Sequence, residues 1–234
     1  MAQDVKITRD SLRTPRAAAI AGIVFAVLLG TAFVLLRMAV PADPAHAPTW
    51  LDDPWRKNSV VVALNLVPFS GLAFLWFIGV MRDRIGAAED RFFATVFLGT
   101  GLLFVAMLFV AGAVSGGLIS TEANLGAERI DQDVWRLGRE TTFMVLNIYA
   151  MRMAGAFTVT TTTIAMRLGI LPRWLAIFGF AVAAILLVTV ERFAWVQILF
   201  PLWVLVISIH LLLHPPEDRA TGGATANPRS AEPR

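Results

Sequence analysis

One cation stands where hydrocarbon is expected. The stretch Thr141–Arg167, TTFMVLNIYAMRMAGAFTVTTTTIAMR, is long enough to cross a bilayer and carries Arg152 well inside its apolar part. A charge at that depth is costly and calls for a counter-ion, water or a ligand. Counting about 1.5 Å per helical residue from one end of each apolar segment places Arg152 roughly 22 Å above Arg167 and Asn65 roughly 25 Å above Arg82. The same count places Glu191 roughly 27 Å above Arg173 and Gln197 roughly 25 Å above His214. Tyr149 lies one turn from Arg152. The sequence therefore predicts a polar layer in which Glu191 pairs with Arg152 while Asn65, Tyr149 and Gln197 satisfy the remaining donors and acceptors. Such a layer has three uses: a lock on the register of the helices, a pocket for a small anionic solute or lipid headgroup, or a lipid-modifying site with Glu191 as base.

Other chemistries find no support. The chain has no cysteine, which removes disulfides, thiolate metal sites and thiol nucleophiles. His210 and His214 are spaced for one helix face, but no third ligand is near in sequence, and His46 falls at the opposite end. No apolar segment contains an Asp, and Ser59, Ser70, Ser115 and Ser208 lack a suitably placed imidazole. No phosphate-cradling glycine loop occurs. No catalytic constellation, metal or cofactor is expected. The run Thr158, Thr160, Thr161, Thr162 and Thr163 offers hydroxyls to a polar path, although threonine in a span ordinarily bonds back to its own helix.

Composition explains why these residues must be read against lipid. Of 234 residues, 57% are hydrophobic and 16% charged, where a soluble domain carries about 25% charged residues. The net charge of +3 is spread along the chain without a basic stripe, so nucleic-acid binding is not expected. Arginine far outnumbers lysine and alanine is abundant, a bias typical of high-GC bacteria.

The elements that position the polar layer follow from hydropathy. Residues 1–16 form a basic cytoplasmic N-terminus. Six spans are predicted at about 17–40, 59–81, 92–117, 141–167, 174–190 and 196–213, and 214–234 form a disordered cytoplasmic tail. The first apolar run exceeds the 7–15 residues of a signal-peptide core and reads as a span. Ala18, Gly22, Ala26 and Gly30 recur every four residues, a small-residue stripe suited to close helix packing or to a second copy or protein partner. Gly112 and Gly116 form a similar pair. Pro41, Pro44, Pro48 and Pro54 mark a loop through Asn58, and Pro68 interrupts the second span. Between the third and fourth spans, Ile130, Val134 and Leu137 repeat at helical spacing beside Trp135. That segment is either an amphipathic helix over the bundle or an extension of the next span.

Six spans place both termini on one side. That side holds twelve Lys and Arg against seven opposite, Arg152 being the twentieth, and its two short connections carry Arg82, Arg84, Arg91, Arg167 and Arg173. The positive-inside rule then puts the termini in the cytoplasm of a plasma-membrane protein.

The turn Gly169-Ile170-Leu171-Pro172-Arg173-Trp174-Leu175, followed by Gly179, resembles a feature of small bacterial multi-pass membrane proteins with about six or seven spans and no assigned function. The resemblance implies a fold type and lends no catalytic residue. The expected protein is an all-α bundle of six transmembrane helices in the lipid bilayer, accessory or structural in role. A carrier or receptor for a small anion or headgroup around Arg152 is the alternative, and a lipid-modifying enzyme the third.

Overall fold

The computed structural model describes residues 2–40, 52–85, 91–125, 130–188 and 195–213, with side chains placed for 17–40, 52–82, 92–125, 130–188 and 195–213. Among the described residues the chain is all-helical: α1 Ala2–Ala39, α2 Pro54–Ile85, α3 Arg91–Leu125, α4 Gln132–Phe143, a π-helical segment Met144–Ala150, α5 Met151–Arg167, α6 Arg173–Val188 and α7 Val196–Leu213. Five helical stretches are long and apolar enough to cross a membrane: Ala17–Ala39, Pro54–Arg82, Phe92–Leu125, Gln132–Arg167 and Val196–Leu213. The sixth apolar helix, Arg173–Val188, is shorter.

Several boundaries differ from those the hydropathy suggests. The backbone of α1 is already helical at Ala2, so the polar N-terminal stretch continues into the apolar run. Helix α2 starts at Pro54 instead of Ser59, because Asp53 caps it. The Trp55 N–H donates to Asp53 Oδ1 at 2.9 Å, and Pro54 at the first position has no N–H to leave unpaired. The segment around Trp135 proves to be an extension of the following span: α4 runs through the π turn into α5 without a break. Its start is fixed by Asp131, whose side chain accepts from the Asp133 N–H at 2.8 Å. Ile130 and Trp135 are buried against Leu118 of α3, while Val134 and Leu137 are exposed, so only part of the apolar stripe faces α3.

The turn between α5 and α6 shows why its residues are what they are. Gly169 has φ +66°, a conformation that costs other residues a steric clash. The Ile170 N–H then donates to the Ala165 carbonyl at 2.9 Å and the Gly169 N–H to Met166 at 3.1 Å, closing α5 in a Schellman motif. Pro172 opens α6, its carbonyl accepting from the Leu175 and Ala176 N–H groups at 3.0 and 3.2 Å.

The helices form a closed ring, each packing on its neighbours in the order α1, α2, α3, α5, α6, α7 and back to α1. One end, here the near end, carries the end of α2, the start of α3 and the turn 168–172; the far end carries the end of α3 and the start of α4. The small-residue stripe of α1 faces into this ring. Ala18, Gly22 and Ala26 are buried, and a Cβ on Gly22 would fall 2.0 Å from Ser208 Oγ of α7 and 3.0 Å from Phe77 of α2. At these three positions the stripe is covered by its own chain; Gly30 alone has no atom within 4 Å of an added Cβ. Gly112 packs on Val67 of α2, whereas Gly116 meets nothing.

The ring's axis is filled by aromatic rings. Phe25 of α1, Phe74 of α2, Phe104 of α3, Phe157 of α5 and Phe200 of α7 are each fully buried. Their centroids approach to 4.5 Å for Phe25–Phe74, 4.8 Å for Phe104–Phe200 and 5.1 Å for Phe74–Phe157. In lipid the hydrophobic effect does not drive helices together, so such interdigitated dispersion contacts carry the association. Tilted and edge-on ring pairs add about 0.5–1.5 kcal/mol each.

Candidate functional site

The far third of the bundle contains Arg152, Asn65, Tyr149 and Gln197, the described members of the predicted polar layer. Arg152 lies in the first turn of α5, and its side chain is exposed on the outside of the ring. It makes no hydrogen bond or ion pair with another described residue. Tyr149, the single tyrosine of the chain, is 57% exposed one turn earlier. Glu191, the expected counter-ion, lies outside the described residues, and the Arg152–Glu191 pair with it.

Asn65 and Gln197 have other partners. Asn65 is exposed on α2, and its amide donates to the Val61 carbonyl of its own helix at 2.8 Å. Gln197, in the first turn of α7, donates from Nε2 to Asn147 Oδ1. Asn147 in turn donates to the Phe143 carbonyl at 3.1 Å. The described residues thus bring Gln197 to Asn147, a residue the sequence reading passed over, and they do not join Asn65 to Arg152. A polar residue at the height of Gln197 was the available signal. The π turn that aims Asn147 across to α7 has no signature in the residue types.

The π segment matters because each i→i+5 bond inserts an extra residue per turn and leaves a local break in side-chain register. It falls where α5 passes the ends of α6 and α7. Nearby, Gly155 of α5 admits α6 closely: a Cβ there would lie 2.9 Å from Leu187 Cγ and 3.3 Å from the Ala183 carbonyl oxygen. The last described turn of α6 is therefore level with Gly155, one turn nearer the bundle's midplane than Arg152. On the other flank, Ser115 of α3 donates to Thr142 Oγ1 at 3.2 Å.

The threonine run does not form a continuous polar path. Thr158, Thr160 and Thr163 donate to carbonyls four residues back, each at 2.8 Å. Among the described residues, the buried hydroxyls of Thr161 and Thr162 find no partner, nor do the Trp203 indole N–H and the Ser208 hydroxyl. Thr162 Oγ1 and Trp203 Nε1 both border Gly179, lying 2.4 and 3.0 Å from where its Cβ would be.

At the near end Arg82, Arg167 and Arg173 are all exposed, and the Arg167 guanidinium sits 4.6 Å from the Phe93 ring centroid. This basic collar marks one limit of the apolar surface. Among the described residues no three His, Cys, Asp or Glu side chains are grouped to hold a metal ion. His46 and His214 lie outside the described residues.

The arrangement offers two kinds of chemistry: neutral side-chain hydrogen bonds that fix helix register, and the outward guanidinium of Arg152, able to recognise an anion. No protein-family model matches the chain, and neither a curated protein nor a solved structure matches it.

Proposed function

We propose that the chain is an integral membrane protein crossing the bilayer six times, with both termini on the cytoplasmic side of a plasma membrane, and that it serves as an accessory or structural component. Helix α6 supports the sixth crossing despite its length. It packs between α5 and α7 as a member of the ring, which supports a crossing beside them. The collar of Arg82, Arg167 and Arg173 at the near end supports the cytoplasmic placement.

The observation that carries the structural reading is the aromatic plug on the axis. A carrier for a small solute through the ring would have to displace Phe25, Phe74, Phe104, Phe157 and Phe200 from one another. Recognition of an anionic headgroup from the membrane side is the form of the alternative reading that the outward position of Arg152 favours. The enzyme reading rests on Glu191, which lies outside the described residues.

The test is reconstitution of the full chain into sealed vesicles loaded with radiolabelled phosphate or a small carboxylate. Efflux no faster than from protein-free vesicles is expected. Saturable efflux that disappears with Arg152→Gln would replace the structural reading by the carrier one.

A further inference from the structure

We propose that Arg152 holds the phosphate of a membrane phospholipid, with a net-anionic headgroup preferred, at the far rim of the lipid-facing surface. The proposal deepens the membrane reading above and rests on it.

The surroundings of Arg152 identify a lipid-facing surface. Phe143, Met144 and Tyr149 before it are 40%, 47% and 57% exposed, and Leu187 and Val188 at the end of α6 are 38% and 81% exposed. In a bilayer Tyr149, Leu187 and Val188 meet acyl chains, and Phe143 and Met144, further along the helix, meet the headgroup layer.

Depth decides what anion can reach the guanidinium. Taking the Arg167 collar as one boundary, Arg152 is roughly 22 Å along α5, leaving about 8 Å to the far edge of a hydrocarbon core about 30 Å thick. The same count puts Asn147 at about that edge, which suits its polar bond to Gln197. Every Cα–Cβ bond in a helix tilts towards the N-terminus, and the N-terminal direction of α5 is the far end. The side chain of Arg152 is therefore launched towards the nearer headgroup layer, and extension brings its guanidinium close to the hydrocarbon edge, where a phosphate drawn inward by local thinning meets it.

Charge completes the case. Arginine does not shed its charge in proteins, and its planar fork matches the two free oxygens of a phosphodiester. No described residue supplies a carboxylate to it. The Tyr149 hydroxyl, on the same side one turn nearer the rim, can donate to the same headgroup. A choline or ethanolamine headgroup would bring its own cation beside the guanidinium, whereas a glycerol headgroup would not. This is the reason for the anionic preference.

The experiment uses the full chain in vesicles of equal phosphatidylglycerol and phosphatidylcholine. Carbonate-resistant membrane association is scored first; protein released by carbonate would defeat the membrane reading and this one together. Membrane-held protein is then extracted gently and its retained phospholipid counted by native mass spectrometry. Wild type is expected to retain phosphatidylglycerol preferentially, and Arg152→Gln to lose about tenfold of that preference, as befits one charge-assisted contact. Equal retention by a helical Arg152→Gln variant sinks the proposal alone. So does retention that rises with Glu191→Gln, which would assign the guanidinium to that carboxylate, or phosphatidylglycerol displaced by inorganic phosphate, which would assign it to a soluble anion. Should Arg152→Gln not fold, a headgroup-photoreactive phosphatidylglycerol on wild type decides the matter: label on the peptide containing Tyr149 and Arg152 is expected, and label confined to other helices overturns it.

Discussion

Gln197 Nε2 donates to Asn147 Oδ1, joining a π-helical turn to an α-helical turn that lacks one backbone hydrogen bond. Asn147 is the middle residue of the π segment Met144–Ala150. Gln197 is four residues before Pro201, which lies inside α7 and cannot donate to the Gln197 carbonyl. Two locally weakened turns are thereby tied to each other at the far rim, across the end of α6.

The Asn147–Gln197 bond should register as an energetic coupling. Asn147→Ala and Gln197→Ala, singly and together, should give a coupling of about 0.6 kcal/mol, the typical value for side-chain hydrogen bonds between membrane helices. Equilibrium unfolding in mixed micelles measures it. Strict additivity would mean that the two amides do not meet.

The contact between Gly22 and Ser208 predicts a rescue. A methyl at Gly22 would lie 2.0 Å from Ser208 Oγ, so Gly22→Ala should destabilise the bundle by about 1–3 kcal/mol. Ser208→Ala alone should be nearly neutral, since the buried hydroxyl has no partner to lose. Combined with Gly22→Ala it should recover most of the loss, the remainder coming from Phe77 at 3.0 Å. The same unfolding assay reads all three variants.

Neighbouring threonines should respond in opposite senses. Thr162→Val removes a buried hydroxyl without a partner and should leave stability unchanged or raise it by up to about 1 kcal/mol. Thr158→Val removes a hydroxyl bonded to the Ala154 carbonyl and should cost roughly 0.5–1 kcal/mol. A loss at Thr162 equal to that at Thr158 would show that its hydroxyl is paired.

The proposed crossing by Gln132–Arg167 can be checked by cysteine labelling on the native sequence, which contains no cysteine of its own. In intact cells, Asp133→Cys on the exposed start of α4 should react with a membrane-impermeant maleimide, and Leu168→Cys at the exposed end of α5 should react only after lysis. Both cysteines reacting from the same side would exclude a crossing between them.

Hydropathy alone determined that this is a helical protein with apolar segments suited to a membrane, because each segment's average is insensitive to its neighbours. The break between residues 167 and 174 was equally legible, and the structure adds its cause: Gly169 supplies the positive φ and Pro172 opens the next helix. Helix ends were less so. Asp53 and Asp131 set the starts of α2 and α4 by accepting a backbone N–H two residues on, a geometry that hydropathy does not encode.

The polar layer belongs to tertiary structure. Height along a helix can be counted from sequence, and it placed Arg152, Tyr149 and Gln197 in the far third; direction around the axis cannot be carried across an irregular turn. The π segment changes the angular phase between α4 and α5, so which polar side chain turns towards α7 was settled only by packing. It sent Asn147 to Gln197, left Asn65 bonded to its own helix, and turned Arg152 outward.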